Sequence, residues 1–194
     1  IKAEGLERKK GNIIVSSIEH HAVTESALWM KKQGIDVTFA PVDEFGIIRL
    51  DYLEKIIRRD TFLISVMLAN NEIGTIQPVE EVSRLAGKYG AKVHSDAVAA
   101  FGHIDVDVKK LGVNYLSVSG NKICGPKGTG FLYVKGGNPV PYMHGGAQER
   151  DRRAGTENVA GIVGLATAAR IAYDTINERA KQEKRISEYM IKRI

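Results

Sequence analysis

VNYLSVSGNKICGPKGTGFLYV, residues 113–134, holds two short apolar runs with a turn between them and no helix. Runs of four to eight β-branched and aromatic residues bounded by turn formers read as strands. The first covers 113–120 and delivers small hydroxyl residues at its end. The second covers 128–134 and starts at the end of the turn Gly125-Pro126-Lys127-Gly128. Parallel neighbours need a long crossover, so a pair joined this tightly is predicted antiparallel.

Outward from this stretch the pattern changes. Strand signals at 12–17, 37–42, 61–68 and 91–97 are separated by amphipathic runs. Those runs are predicted helical at 20–34, ended by Gly34; at 50–60, with Leu53, Ile56 and Ile57 on one face; at 78–90; and at 107–112. The 78–90 helix is opened by Pro78 and turns Val79, Val82, Leu85, Ala86 and Tyr89 inward. From about Asn158 one long helical pattern runs to Ile194. Alternating strands and helices predict an α/β fold, a three-layer α/β/α sandwich around a mostly parallel sheet that the 128–134 strand makes mixed.

The chain has 194 residues, 43% of them hydrophobic, which suits a single domain over 1–194. Its net charge is +5, and Glu178–Ile194 alone holds six Lys or Arg against three Glu. Such a run reads as a solvated helix face. No basic stripe interleaved with aromatics stands elsewhere, so nucleic acid is not an expected partner. No apolar segment is long enough to span a bilayer, so no membrane is expected either. With one cysteine, Cys124, no disulfide can form within these residues, and a cysteine-based metal site is not expected. No signal-peptide pattern opens them, and the cytoplasm is the expected location. The opening IKAEGLERKKG reads as the tail of a helix and RISEYMIKRI as a helix under way, which suggests a piece of a longer polypeptide.

Ligands of open α/β sheets sit beyond the carboxyl ends of the strands. Three polar clusters fall there: NNEIG after 61–68, HSDA closing 91–97 and SGNK closing 113–120. Asp96 and Lys122 stand out. A carboxylate at a strand end, enclosed by its neighbours, needs a cation or it takes a proton. A desolvated lysine becomes a nucleophilic amine. The two could pair with each other. Alternatively both could meet a third body, with Asp96 on a pyridinium nitrogen and Lys122 on an aldehyde, as pyridoxal 5'-phosphate (PLP) requires. Spacing alone leaves both arrangements open. Lys127 is a rival lysine on the neighbouring turn.

IEHHAV (18–23), NNEIGTIQP (70–78), HSDAV (94–98), SVSGNKICGPKGTG (117–130) and HGGAQERDRRAGTEN (144–158) occur in this order. Together they resemble the cysteine desulfurases of the NifS/IscS type, within the class V aminotransferase group. The GPKG and RAGTEN forms look like that branch more than the SufS-type enzymes. The resemblance covers essentially the whole chain. It implies the large domain of a fold-type I PLP enzyme, with the 158–194 helix leading to a small C-terminal domain. It implies a homodimer that moves sulfur from L-cysteine to an enzyme cysteine and on to an acceptor or scaffold protein for iron–sulfur cluster assembly, releasing alanine.

Residue by residue, the resemblance implies Lys122 as the Schiff-base lysine and Asp96 as partner of the ring nitrogen. His20 would stack on the ring, Val98 would pack on its other face and Asn71 would bond the ring hydroxyl. Ser119 and Asn121 would reach the phosphate, and Thr156 that of the neighbouring subunit. Each has a plainer reading beside it. His20 and Thr156 suit helix caps, Asn71 a left-handed turn, Val98 the core, and Ser119 and Asn121 ordinary turns. Three positions depart from the family pattern. Asn121 stands where His is usual, Ala99 where Gln is usual, and Leu68 precedes ANN where many relatives have His. Cys124 lies two residues past the expected Schiff base and reads as a small packing residue, not as the persulfide cysteine, which the resemblance places outside these 194 residues. It places the upstream phosphate loop and the substrate-carboxylate arginine there too, so the chain alone is expected to be inactive or very weak. A selenocysteine lyase or another class V enzyme, or a non-catalytic PLP-binding or docking fragment, would carry the same motifs.

Overall fold

The computed structural model describes residues 10–136 and 139–194. The expected N-terminal helix tail falls almost wholly on residues outside this set. Six five-residue strands form one sheet: β1 (Asn12–Ser16), β2 (Asp36–Ala40), β3 (Thr61–Ser65), β4 (Lys92–Asp96), β5 (Tyr115–Ser119) and β6 (Gly130–Val134). Their order is β2-β1-β3-β4-β5-β6. The first five pair parallel, and β6 runs antiparallel to β5 from Tyr115↔Val134 to Ser119↔Gly130. The mixed sheet expected from 113–134 is therefore present. The chain moves outward from β1 to β2, then returns past β1 to β3. That reversal opens a crevice between the exits of β1 and β3, where α/β sheets bind ligands.

Helices cover both faces. Helix α1 (His21–Lys32) packs Val23, Ala27 and Met30 against Ile13, Val15, Val37, Leu63 and Tyr115. Helices α2 (Leu50–Ile56) and α3 (Val79–Tyr89) cover the other face with Leu53, Val79, Val82, Leu85 and Ala86 on Ile14, Ile64, Val93, Leu116 and Val118. Alternation along each strand sends Ile13 and Ile14, or Tyr115 and Leu116, to opposite cores. One expected inward residue is not: Tyr89 is 37% exposed, because it ends α3 just before Gly90 turns the chain into the left-handed region. A short helix, α4 (Val108–Leu111), is capped by the Asp107 carboxylate, which accepts the Lys109 and Lys110 N–H groups.

The single long helix expected over 158–194 is two. Helix α5 (Val159–Asp174) and helix α6 (Ile176–Ile191) meet at Thr175 with a bend of 70°. The Thr175 hydroxyl bonds back to the Ile171 carbonyl at 2.8 Å. Arg179 folds under the joint and donates to the carbonyls of Ala172, at 2.7 Å, and of Gly102. A guanidinium can satisfy both helix-end and loop carbonyls at once, which a straight helix would not permit. No single described helix is long and apolar enough to cross a membrane.

Candidate active site

The exits of β1, β3, β4 and β5 converge on the crevice. Asp96 is the last residue of β4 and is 7% exposed. Its Oδ1 accepts the Val98 N–H at 2.8 Å, an Asx turn that starts the next loop. Burial raises its pKa from the usual carboxylate range, while the Val98 bond and nearby His20 pull it back down. Among the described residues no ion pair involves Asp96.

Lys122 lies one strand over, in a 3-10 turn (Gly120–Ile123) that follows β5 directly. Asp96 pairs with Ser117 in the parallel ladder, so both residues leave the sheet at the same end. The turn is held from several sides. Gly120 N–H bonds the Thr129 carbonyl at 2.9 Å, and Gly125 N–H bonds the Gly120 carbonyl at 2.8 Å. Ile123 plugs into Leu165 and Ala172 of α5. Nε2 of His103 lies 3.3 Å from the Lys122 carbonyl oxygen. The main chain is thereby fixed while the Lys122 side chain stays exposed, and no described ion pair takes it. Mutual neutralisation, the plainer reading of Asp96 and Lys122, is absent. Ser119 donates its hydroxyl to Oδ1 of Asn121 at 2.6 Å, so these two residues meet beside Lys122.

His20 is the N-cap of α1, and its Nδ1 accepts the Ala22 N–H at 3.1 Å. Capping uses one ring edge, and the exposed ring also meets His21 in a T-shaped contact with centroids 6.3 Å apart. Asn71 is not left-handed. The turn is made by Asn70, whose Oδ1 accepts the N–H groups of Glu72 and Ile73 at 2.8 and 3.0 Å. The Asn70 amide also donates to the Ile18 carbonyl at 2.9 Å, which stitches the exit of β3 to that of β1 and leaves Asn71 exposed.

Val98 is half-buried after Asp96, as is Ala99. Leu68 is buried and donates its N–H to the Asp96 carbonyl at 2.8 Å. Thr156 is exposed on the loop before α5 and is not its cap, a role taken by Asn158 through the Gly161 N–H. Among the described residues no hydrogen bond or ion pair joins Thr156 to the other candidates. Cys124 is not a packing residue: it is exposed at φ 62° and closes the 3-10 turn. Lys127 is exposed on the following turn. In HGGAQERDRR three residues in succession, Glu149, Arg150 and Asp151, hold positive φ.

Sequence reasoning passed over a second buried acid beside the crevice. Glu19 is 9% exposed, accepts the Met67 N–H through Oε1, and has no partner for Oε2. Burial pushes its pKa up to about 8, with Asp96 adding to the rise. The adjacent histidines drew attention away from a glutamate that composition would place at the surface.

Behind the site a polar seam crosses the sheet. Buried His94 bridges the Ser65 hydroxyl, at 2.8 Å from Nδ1, and the Ser117 hydroxyl, at 2.8 Å from Nε2. Burial lowers its pKa to about 3. The unfolded chain protonates this histidine near pH 6.5 and the folded one does not until about 3, so its contribution is present above that window and is lost as pH falls through it. Urea unfolding from pH 6.5 to 3 is expected to show a smaller loss of stability for His94→Gln than for the parent chain.

The residues fit the cofactor that the motifs imply. A buried acid without a cation, an uncommitted primary amine, an exposed imidazole and a hydroxyl–amide pair at a strand exit are the groups a pyridinium phosphate aldehyde needs.

The aminotransferase class-V family model matches residues 2–194. The chain is 54% identical over 173 residues to the cysteine desulfurase IscS of Methanosarcina thermophila, covering 88% of this chain and 43% of that protein. It is 45% identical over 193 residues to the cysteine desulfurase IscS of Dictyoglomus turgidum, covering 99% and 49%. Among solved structures it superposes on a NifS-like protein with a TM-score of 0.93 at 45% identity, covering 98% of this chain and 53% of the other. A second, described as SspA in complex with cysteine, gives a TM-score of 0.83 at 39% identity, covering 87% and 50%. The chain thus spans about half the length of the curated relatives it matches.

Proposed function

The chain belongs to the aminotransferase class-V family, whose cofactor is PLP, and on that premise we propose that the protein is a cysteine desulfurase taking sulfur from L-cysteine. The observation that carries this reading is the pair of strand exits: a buried acid on β4 and an unpaired lysine on the turn after β5, fixed by their main chains and not spent on each other. Relatives that are cysteine desulfurases, and a similar solved structure in complex with cysteine, support the substrate.

Bound PLP would supply an electron sink for bonds at the substrate Cα. In the proposed arrangement Lys122 would hold it covalently and Asp96 would accept a hydrogen bond from its ring N–H. His20 and Val98 would cover the two ring faces, Asn71 would bond the ring hydroxyl, and Ser119 and Asn121, bonded to each other in the chain alone, would turn to donate to the phosphate. Thr156 serves the neighbouring subunit of a homodimer. Asn121 donates without charge, so the phosphate relies more on backbone N–H groups here than beside a histidine. The Ala99 side chain offers no hydrogen bond where glutamine would. The Lys122 amine, when not holding the cofactor, would be the group placed to move a proton at the substrate Cα, and the 3-10 turn fixes the main chain that carries it. Cys124 is assigned no sulfur-accepting role: its main chain closes the turn that carries Lys122, and the chain spans only about half the length of its curated relatives. The sulfur then passes to an acceptor or scaffold protein for cluster assembly in the cytoplasm.

The test uses the full-length protein saturated with PLP. Borohydride reduction followed by peptide mapping is expected to leave the label on Lys122, and L-cysteine with a reducing thiol is expected to yield sulfide and alanine. A label without sulfide points to another substrate, such as selenocysteine. No label overturns the reading in favour of a docking protein.

A further inference from the structure

Glu19 lies between two things the proposed reaction needs and does neither of the jobs assigned above. It precedes the helix cap His20 and follows β1, and its carboxyl reaches across the crevice to the Met67 N–H on the exit of β3. Three residues on, the Asn70 amide reaches back to the Ile18 carbonyl. These reciprocal bonds lace together the loops that carry His20 and Asn71. The second oxygen, Oε2, is buried without a partner. No described ion pair involves Glu19, and the charged group acting on it is another acid, Asp96, which His20 in turn faces. A carboxylate in that position has lost its water and gained a like charge, and it takes up a proton. Where two carboxyls are close, environment keeps one neutral and leaves the other to carry the charge.

We propose that Glu19 is a positioning residue: a neutral carboxylic acid that locks the β1 and β3 exits together and leaves Asp96 as the single anion available to the cofactor's ring nitrogen. This rests on the PLP reading for its second half only. The lock itself is a property of the chain without cofactor, so the two can fail separately. Ionisation of Glu19 would place a second charge beside Asp96 and strain the crevice, so the protonated form is the one built into the fold. The sign follows. Because the folded-state pKa is raised, the stability that Glu19 confers is present below its unfolded pKa of 4.5 and is lost as pH rises to about 8.

The experiment compares the full-length protein with Glu19→Gln and Glu19→Leu. In the apoprotein, the urea midpoint of the parent is expected to fall between pH 5 and 8, and Glu19→Gln, which keeps the shape without the proton, is expected to flatten that fall. PLP affinity at pH 6.5 is expected to be within ~2-fold of the parent for Glu19→Gln and ~10-fold weaker for Glu19→Leu, which cannot hold the Met67 N–H. Rescue by glutamine separates positioning from charge. An unchanged pH slope in Glu19→Gln would overturn the neutral-acid assignment even if no variant bound PLP. A tenfold loss of affinity in Glu19→Gln would show that the negative charge is required and would overturn it too.

Discussion

Lys122→Ala in the full-length protein is expected to lower sulfide release from cysteine by ~10³-fold or more while leaving the fold intact. The size follows from losing two functions in one side chain: covalent hold on the cofactor and proton transfer at the substrate Cα, of which the second alone is worth ~10²–10⁴-fold. The fold should not notice, because the 3-10 turn is secured by main-chain bonds from Gly120 and Gly125 and by Ile123 in its apolar socket, and none of these uses the lysine side chain. The measurement is a single-turnover assay beside an unfolding curve. Wild-type stability with residual PLP binding and no turnover is the expected result. Activity retained by Lys122→Ala but lost in Lys127→Ala would move the assignment to the neighbouring turn.

Gly130→Ala is expected to cost about 3 kcal/mol of stability, the upper range for overpacking a well-fitted site. Gly130 opens β6 opposite Ser119, and a methyl group on it would land on the Val118 carbonyl oxygen. Backbone cannot retreat as a flexible side chain can. The strand would have to lift away, loosening the Gly120–Thr129 bond that closes the turn. A fall in the urea midpoint with unchanged slope is the expected reading. PLP retention should weaken in step, because the same turn carries Lys122. A midpoint equal to that of the parent would show that the β5–β6 pair yields more easily than its geometry implies.

How far the sequence could be read depended on whether a signal was local. Residues 113–134 announced an antiparallel close because two strand patterns lay too near for a crossover. At the β3 exit, by contrast, the turn former is not legible in sequence. NN offered two asparagines, and only the long reach from Asn70 to Ile18 distinguishes the one that builds the turn from the one left exposed. The break at Thr175 was invisible for the same reason. The apolar periodicity continues through it, and what bends the chain is Arg179 bonding to Gly102, seventy-seven positions away. Glu19 escaped because its importance lies in the company it keeps, an N–H forty-eight residues on and an acid across the crevice.

The seam of Ser65, His94 and Ser117 acts as a key for alignment. Hydrophobic strands slide past one another at little cost, since one valine fits much like the next. Side chains alternate in direction along β4, so a shift of a single residue would turn Asp96 toward the opposite layer and bring Ser95 round in its place. An imidazole that must touch a hydroxyl on each flanking strand permits one setting, and that setting delivers a lone acid to its address.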